Sequence, residues 1–208
     1  MSHKTVFHAW NTVISIQSSE DIVGIEESLR DEINRLDLLL SHHNKDSLLY
    51  KVRENSIPSN SEVDYLLELA FNLRDITGSL YNPFYDGYLD IYSISKGYAV
   101  TSLVNILKNH SSYGGVNAGG EIEVFGEKVF NIGLEDPNST TPYKVLSLKN
   151  SAVASSGNYR KHHIKNLTPY QAASVTGKDL TLCDGLVTAF LLSGDSSIIP
   201  EGYELHFI

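Results

Sequence analysis

Apolar residues recur at spacings of three and four in several segments of the chain, which predicts helices that each bury one face. The predicted helices cover about residues 22–40, 61–76, 96–109 and 184–192. Glu20 and Asp21 place acidic side chains at the start of the first helix, where the helix dipole favours them. Ser61 followed by Asp64 predicts a capped start for the second helix.

Shorter apolar runs, separated by turn residues, predict β-strands. We expect a hairpin over residues 4–16 and further strands over 116–124, 128–134, 144–149, 151–155, 171–176 and 203–208. Most helices precede the main block of strands, so the chain lacks a regular strand–helix alternation. This order predicts an α+β fold, and a length of 208 residues fits one domain spanning residues 1–208.

The composition argues against some classes of binding partner. A formal charge of −9 argues against a nucleic acid or an anionic membrane surface, because both require basic patches. The single cysteine, Cys183, excludes an intrachain disulfide. No apolar run approaches the roughly 20 residues of a membrane span, and the N-terminus shows no signal-peptide core. We expect a cytoplasmic protein as the sequence stands, or a periplasmic or lipid-anchored one if a leader was removed.

Asp184 and Thr188 lie four residues apart, so on a helix they share one face. A carboxylate and a hydroxyl are hard oxygen ligands that suit Mg²⁺. The alternative is structural: Asp184 would cap the helix, and Thr188 would donate a hydrogen bond back to a backbone carbonyl.

A glycine pair, Gly119-Gly120, stands beside Glu121 in a strand-like segment. Glycines let a backbone approach a ligand closely because they carry no Cβ, although a β-bulge would also explain them. Lys96 is placed where irregular chain enters a predicted helix, and amide groups at a helix start bind anions. The alternative for Lys96 is an ordinary surface lysine.

Further polar groups follow in the segment around Ser156-Gly157, which continues to His162 and His163. A histidine there would bind a phosphate or act as an acid or base. The alternative is a polar loop. The tyrosines between residues 81 and 92 predict either stacking on a flat ring or packing against the core.

Together, and in this order, these segments resemble the motifs of the ApbE family of flavin transferases. The resemblance extends over most of the chain. It is carried by residues 40–55, 77–84, 90–101, 119–122 with 132–137, 152–159, 163–166, and 174–176 with 184–189.

The resemblance implies a T-fold-related α+β domain in which antiparallel sheets pack with helices. It implies FAD as a substrate and Mg²⁺, with transfer of FMN to a threonine of a target protein and release of AMP. Some members of the family instead hydrolyse FAD. The implied metal ligands are Asp184, Thr188 and the backbone carbonyl of Ser95.

His163 is the implied catalytic residue, in contact with a phosphate. The residues expected around FAD are Asn55, Lys96, Gly119, Gly120, Glu121, Ser156, Gly157 and Tyr159.

Other positions depart from the family motifs. Side chains of a different kind stand at Asn82, Phe84, Tyr92-Ser93, Thr101 and Arg160, and the segment before Lys96 is short. A second hypothesis is therefore a catalytically inactive relative that binds a flavin, a nucleotide or a protein partner.

Overall fold

The computed structural model describes residues 2–54, 56–85, 88–157 and 168–208. The α-helices are α1 (Glu26–Leu40), α2 (Leu48–Arg53), α3 (Ser61–Ile76), α4 (Tyr92–Lys108) and α5 (Leu180–Ser193). The strands are β1 (His3–Ala9), β2 (Thr12–Ser18), β3 (Phe84–Tyr85), β4 (Tyr88–Leu89), β5 (Tyr113–Ala118), β6 (Glu121–Gly126), β7 (Phe130–Leu134), β8 (Lys144–Leu148), β9 (Ser151–Gly157), β10 (Ala172–Gly177) and β11 (Glu204–Phe207). Short 3-10 turns occur at Ile22–Gly24 and Ser196–Ile198.

A seven-stranded antiparallel sheet in the order β1-β2-β5-β6-β9-β10-β11 forms the centre of the fold. Helices cover one face of this sheet, and the β7–β8 hairpin covers part of the other. Strand β9 shows the alternation: Ala152 and Ala154 join the helical core, whereas Val153 packs with the hairpin. The predicted α+β class, with antiparallel sheets packed against helices, is confirmed.

Several element boundaries differ from the predictions. Helix α4 begins at Tyr92 rather than near Lys96, and α5 begins at Leu180 rather than Asp184. The cap of α5 is Asp179, whose carboxylate accepts a hydrogen bond from the Leu182 amide at 3.0 Å. The first turn of α4 carries few apolar residues, whereas α5 is buried on nearly all sides, so its start shows little contrast between faces.

Local chemistry explains two further differences. The predicted strand over 116–124 is a hairpin that turns at its glycine pair. Helix α3 is capped by Asn60, not Ser61, because the Asn60 side chain accepts from the Val63 amide at 2.9 Å. Within the described ranges, no helix is both long and apolar enough to cross a bilayer.

The start of α5 crosses α4 at Gly97, where the two backbones touch. A Cβ at Gly97 would lie 2.7 Å from the Leu180 carbonyl oxygen and 2.9 Å from Cα of Thr181. Both atoms belong to backbone, so a side chain at Gly97 would have to push the helices apart. This close crossing brings the polar residues of α4 and α5 together.

We expect Gly97→Ala to destabilise the fold by about 1–3 kcal/mol, because overpacking a helix contact displaces backbone. Chemical denaturation monitored by circular dichroism would measure the loss. Gly24→Ala is the matched control, because a Cβ at Gly24 meets nothing within 4 Å. Equal free energies of unfolding for the two variants would show that α4 and α5 can move apart without loss of stability.

Candidate functional site

Asp184 is a buried carboxylate in the second turn of α5, with 5% of its surface exposed. Its Oδ2 atom accepts a hydrogen bond from the backbone amide of Gly97 at 2.9 Å. Within the described part of the chain, Oδ1 accepts no hydrogen bond. The capping alternative for Asp184 is therefore wrong, and the helix crossing holds this carboxylate in place.

Lys96, which is partly exposed, and Glu121, which is buried, form an ion pair beside Asp184. The Lys96 Nζ atom lies 2.5 Å from Oε2 of Glu121, which is only 2% exposed at the start of β6. Lys96 belongs to the second turn of α4, so it does not stand at a helix N-terminus as predicted. The structure thus joins three predicted site residues, Lys96, Glu121 and Asp184, from segments far apart in sequence.

Lys96, Glu121 and Asp184 together have two acidic groups and one basic group, so their charges do not balance. Burial raises the pKa of Asp184 well above its ordinary value, and Glu121 raises it further, while Lys96 and the Gly97 amide oppose the shift. Burial also raises the pKa of Glu121 against the opposing effect of Lys96. Burial lowers the pKa of Lys96, but Glu121 and Asp184 more than reverse this, so the net shift is upward. Two buried carboxylates share one ammonium, an arrangement that a second cation would neutralise.

The two other predicted metal ligands lie on the same helices. Thr188 donates a hydrogen bond to the Asp184 backbone carbonyl at 3.2 Å, which was the structural alternative for this residue. The hydroxyl oxygen keeps its capacity to accept or to coordinate. The Ser95 hydroxyl donates to the Ile91 carbonyl at 2.8 Å, so its side chain is used within α4. Only the predicted carbonyl role of Ser95 remains open.

The glycine pair forms the two-residue turn between β5 and β6. Gly119 and Gly120 have φ angles of +74° and +118°, which a tight hairpin turn requires and glycine adopts freely. A Cβ at Gly119 would lie 2.5 Å from the Thr12 hydroxyl, and one at Gly120 would lie 3.4 Å from the Ser155 carbonyl. Turn geometry and neighbouring protein atoms therefore account for both glycines.

Ser156 and Gly157 end strand β9, where they pair with Ala173 and Ala172. Ser156 follows Ala154 on the face of the sheet that the helices cover, because side chains two residues apart point the same way. Glu121 lies on that face too, since it pairs with Lys96 of α4. The predicted residues Asn55, Tyr159 and His163 lie outside the described residues.

A pocket of about 430 Å³ opens next to Lys96. Its walls come from the β1–β2 turn, the end of α1, the loop over residues 41–44 and the start of α4. Ser95 and Lys96 belong to its lining, so the pocket reaches the carboxylate group described above. No sequence pattern pointed to this pocket, because its walls come from distant segments.

The chain is similar to known proteins both in sequence and in fold. The model of the ApbE family matches residues 85–199. The chain belongs to the ApbE family. That matched stretch contains Lys96, Glu121 and Asp184, so the membership covers the buried charged group.

Solved ApbE structures share the fold over the whole chain. The flavin transferase ApbE from Vibrio cholerae superposes with a TM-score of 0.82 at 14% identity, covering 100% of this chain and 97% of that one. The ApbE protein from Thermotoga maritima gives a TM-score of 0.85 at 19% identity, with coverages of 100% and 94%. The flavinyl transferase ApbE from Pseudomonas stutzeri, in its apo form, gives 0.80 at 17%, with the same coverages. No curated protein matches the sequence.

One ApbE-family position that departs from the motif has a visible structural role. Thr101, one of the positions that depart from the family motif, donates a hydrogen bond to Glu123 at 2.7 Å, and Lys108 donates to the same carboxylate at 3.0 Å. This second group joins α4 to β6, as the Lys96–Glu121 pair does. The departure at Thr101 is thus accommodated by a neighbouring acid.

Tyr81 is a site neighbour that the sequence did not single out from the other tyrosines. It is 3% exposed, and its hydroxyl accepts a hydrogen bond from Ser93 at 2.8 Å. Burial raises its pKa to about 12, with Asp184 contributing to the rise. A buried tyrosine near Asp184 supports the packing interpretation of this residue rather than ring stacking. The hydroxyl of Thr77, four residues earlier in the chain, accepts a hydrogen bond from the Tyr81 amide. Thr77 was therefore the residue in the sequence that could have pointed to Tyr81.

Proposed function

We propose that this ApbE-family chain is a Mg²⁺-dependent enzyme that cleaves the pyrophosphate of FAD and transfers FMN to a threonine of an acceptor protein. The threonine hydroxyl would form the new phosphate ester, and AMP would leave. The observation that carries the proposal is the buried Asp184 carboxylate, which faces an excess of negative charge beside the pocket. The names of the structural neighbours, flavin transferases, support the same chemistry.

The residues present fit a Mg²⁺ ion that takes some of its ligands from the substrate. Among the described residues, no group of three or more His, Cys, Asp and Glu side chains is arranged to hold a metal ion. Asp184, Thr188 and the Ser95 carbonyl would supply one carboxylate, one hydroxyl and one carbonyl. Mg²⁺ sites of this kind use one or two carboxylates and take their remaining ligands from water and substrate phosphates. The bound ion would neutralise charge that develops on the pyrophosphate.

The protein's own residues have distinct tasks in this proposal. The Gly97 amide orients Asp184, and Glu121 fixes the Lys96 ammonium at the inner end of the pocket. An ammonium held there attracts phosphate oxygens without having to be reoriented when the substrate binds. The expected contact of His163 with a phosphate stays a prediction.

The direct test incubates the purified protein with FAD and Mg²⁺ and follows AMP by chromatography. AMP release that depends on Mg²⁺ supports the enzyme, and its absence with and without an acceptor overturns it. Adding a threonine-containing acceptor peptide separates transfer from hydrolysis. Transfer yields a peptide that carries one FMN group as a phosphate ester, whereas hydrolysis yields free FMN.

We also expect Mg²⁺ and a phosphate ligand to bind together. Because the chain offers one carboxylate in the proposed ligand set, Mg²⁺ alone will shift the melting temperature little, and ADP alone will shift it moderately. Both together will exceed the sum of the separate shifts, since a ligand that binds only the native state stabilises it. Thermal unfolding measures all three conditions, and strictly additive shifts would contradict a shared site.

A second candidate is a flavin-binding protein without catalysis. The observation that favours it is Tyr92, a departure from the family motif that stands at the first position of α4 and lines the pocket. A tyrosine there restricts the approach of a ligand to the backbone. Saturable FAD binding without AMP release would support this candidate.

A further inference from the structure

A row of polar side chains crosses the central sheet on the face that the β7–β8 hairpin covers. Ser155 of β9 pairs with Ser174 of β10, and Ser174 pairs with His206 of β11, so the three side chains point to the same face. Val153, two residues before Ser155, packs with the hairpin on that face. The Ser155 and Ser174 hydroxyls share a hydrogen bond of 2.8 Å. The row therefore ends on an imidazole at the edge strand of the sheet.

His206 is the buried end of this row, and the hairpin contacts it directly. Only 2% of the His206 side chain is exposed. Lys144, the first residue of β8, places its Nζ atom 2.9 Å from Nδ1 of His206. An ammonium group only donates hydrogen bonds, so Nδ1 must accept, and the imidazole must be neutral with its proton on Nε2. The contact thus joins the hairpin to the edge strand only while His206 is uncharged.

A positive charge on this imidazole would be poorly compensated. In the part of the chain that the structure describes, Nε2 of His206 is buried and has no hydrogen-bond partner. The Oε1 atom of Glu204 lies 3.7 Å from Nδ1, but the Glu204 side chain is 70% exposed, so solvent screens it. Tyr143, which precedes Lys144, stays neutral because burial raises its pKa. Burial and Lys144 lower the pKa of His206, and Glu204 opposes them without reversing the shift.

Protonation of His206 would set two cations against each other, and Nδ1 would lose its capacity to accept. The Lys144 side chain is 44% exposed, so its ammonium would turn to solvent. We propose that Lys144 and His206 form a pH-sensitive latch, which fastens the β7–β8 hairpin to the sheet edge at neutral pH and releases it when His206 takes up a proton. The proton comes from solvent, and Glu204 becomes the partner of the charged ring.

The latch acts in the pH range in which histidines titrate. An unfolded histidine takes up its proton near pH 6.5, and folded His206 does so only at lower pH. The latch therefore contributes fully above pH 6.5, and its contribution is lost as pH falls from 6.5 through the folded pKa. Release frees the tip of the hairpin first, because Lys144 pairs with Leu134 next to the loop over residues 135–143. The apolar cluster around Val153 continues to hold the rest of the hairpin.

Hydrogen exchange of the hairpin amides, divided by the rate of an unfolded chain at the same pH, measures the latch. Protection over residues 130–148 will fall at least about tenfold between about pH 7.5 and about pH 5, as expected when a hydrogen bond to a charged group is lost. Helix α5, on the other face of the sheet, will lose no protection. Equal protection of the hairpin at both pH values would overturn the proposal. A parallel loss in α5 would overturn it too, because the whole fold would then be opening.

Three variants identify the groups involved. In His206→Asn the side-chain oxygen accepts from Lys144 but does not titrate, so hairpin protection will be the same at both pH values. Lys144→Met removes the latch without changing the buried ring, so protection will already be low at neutral pH. Lys149→Met is the matched control, because Lys149 lies just beyond β8 and binds the exposed Glu127. Its hairpin will respond to pH as in the unchanged protein.

Imidazole NMR gives a readout that does not depend on exchange. His206 will titrate below pH 6.5 in the unchanged protein, and its pKa will rise in Lys144→Met because the neighbouring ammonium is gone. Titration of His206 at or above pH 6.5 in the unchanged protein would overturn the proposal. So would a loss of hairpin protection in Lys149→Met as large as in Lys144→Met. These measurements need no FAD, so their outcome is independent of the proposed function.

Discussion

Replacing Asp184 with asparagine will abolish the proposed Mg²⁺-dependent release of AMP from FAD and will stabilise the metal-free protein. The loss of activity will be about a thousandfold or more, as expected when the charged ligand of a phosphate-binding ion is removed. The hydrogen bond from Gly97 can survive, because an asparagine side-chain oxygen also accepts. The Lys96–Glu121 pair then remains as one cation and one anion, and stability rises by about 1 kcal/mol.

The pH dependence gives this prediction a definite sign. A carboxyl group whose folded pKa lies above its unfolded value binds more protons in the folded state. The raised pKa of Asp184, caused mainly by burial, therefore makes the metal-free protein lose stability as pH rises above the ordinary value of 3.8 and toward the folded value. We expect Asp184→Asn to reduce this decline. Melting temperatures measured across that range without metal would show it.

Asp179→Asn is the control for the Asp184 experiment. Asp179 is an exposed helix cap one turn earlier, and asparagine is an equally good capping residue, so both activity and stability should be retained. Full activity of Asp184→Asn, or a metal-free protein that becomes less stable through this change, would contradict the assignment.

Replacing Lys96 with methionine will cost about 3–5 kcal/mol, because it leaves Glu121 buried without its partner. The pKa of Glu121, already raised by burial, will rise further once the ammonium is gone. The variant will therefore lose stability as pH rises above the ordinary value of 4.5 for a glutamate. Chemical denaturation at several pH values measures both effects. Adding Glu121→Gln will recover part of the loss, since a neutral amide is less costly to bury.

The ion pair of Lys108 with Glu123 serves as a comparison for the ion pair of Lys96 with Glu121. Lys108 and Glu123 join the same helix, α4, to the same strand, β6, at 3.0 Å, but the Lys108 side chain is 41% exposed. Lys108→Met should cost less than Lys96→Met, because Lys108 is the more exposed lysine and the buried Glu123 keeps its hydrogen bond from Thr101. Similar losses in the Lys96 and Lys108 variants would show that burial does not govern these pairs.

Periodicity predicted those elements whose packing follows a simple pattern. The β1–β2 hairpin, helix α3 and strand β11 appear close to the expected residues, because each has one buried and one exposed face. Helix α5 was predicted too short, since it is buried nearly all round and shows little contrast between faces. The short helix α2 was not predicted, because its six residues are too few to show a helical period.

The candidate site was predictable in part. Sequence singled out Lys96, Glu121 and Asp184, and the fold brings them together. It did not reveal that Lys96 and Glu121 pair with each other, because that contact depends on how α4 lies on β6. It left the glycine pair open between ligand approach and a β-bulge, and the structure shows the pair in a tight turn with positive φ angles. The pocket next to Lys96 was not predicted, since only the tertiary structure assembles its walls.

The β7–β8 hairpin connects β6 to β9, which are already neighbours in the central sheet. Its two ends are tied together by a hydrogen bond from the Gly126 amide to the Asn150 side chain at 2.8 Å. It packs on the sheet face opposite the charged residues. A reporter domain inserted in the loop over residues 135–143 would therefore lie on the opposite side of the sheet from Lys96, Glu121 and Asp184. The hairpin is thus an attachment point for labels that leaves the candidate site accessible.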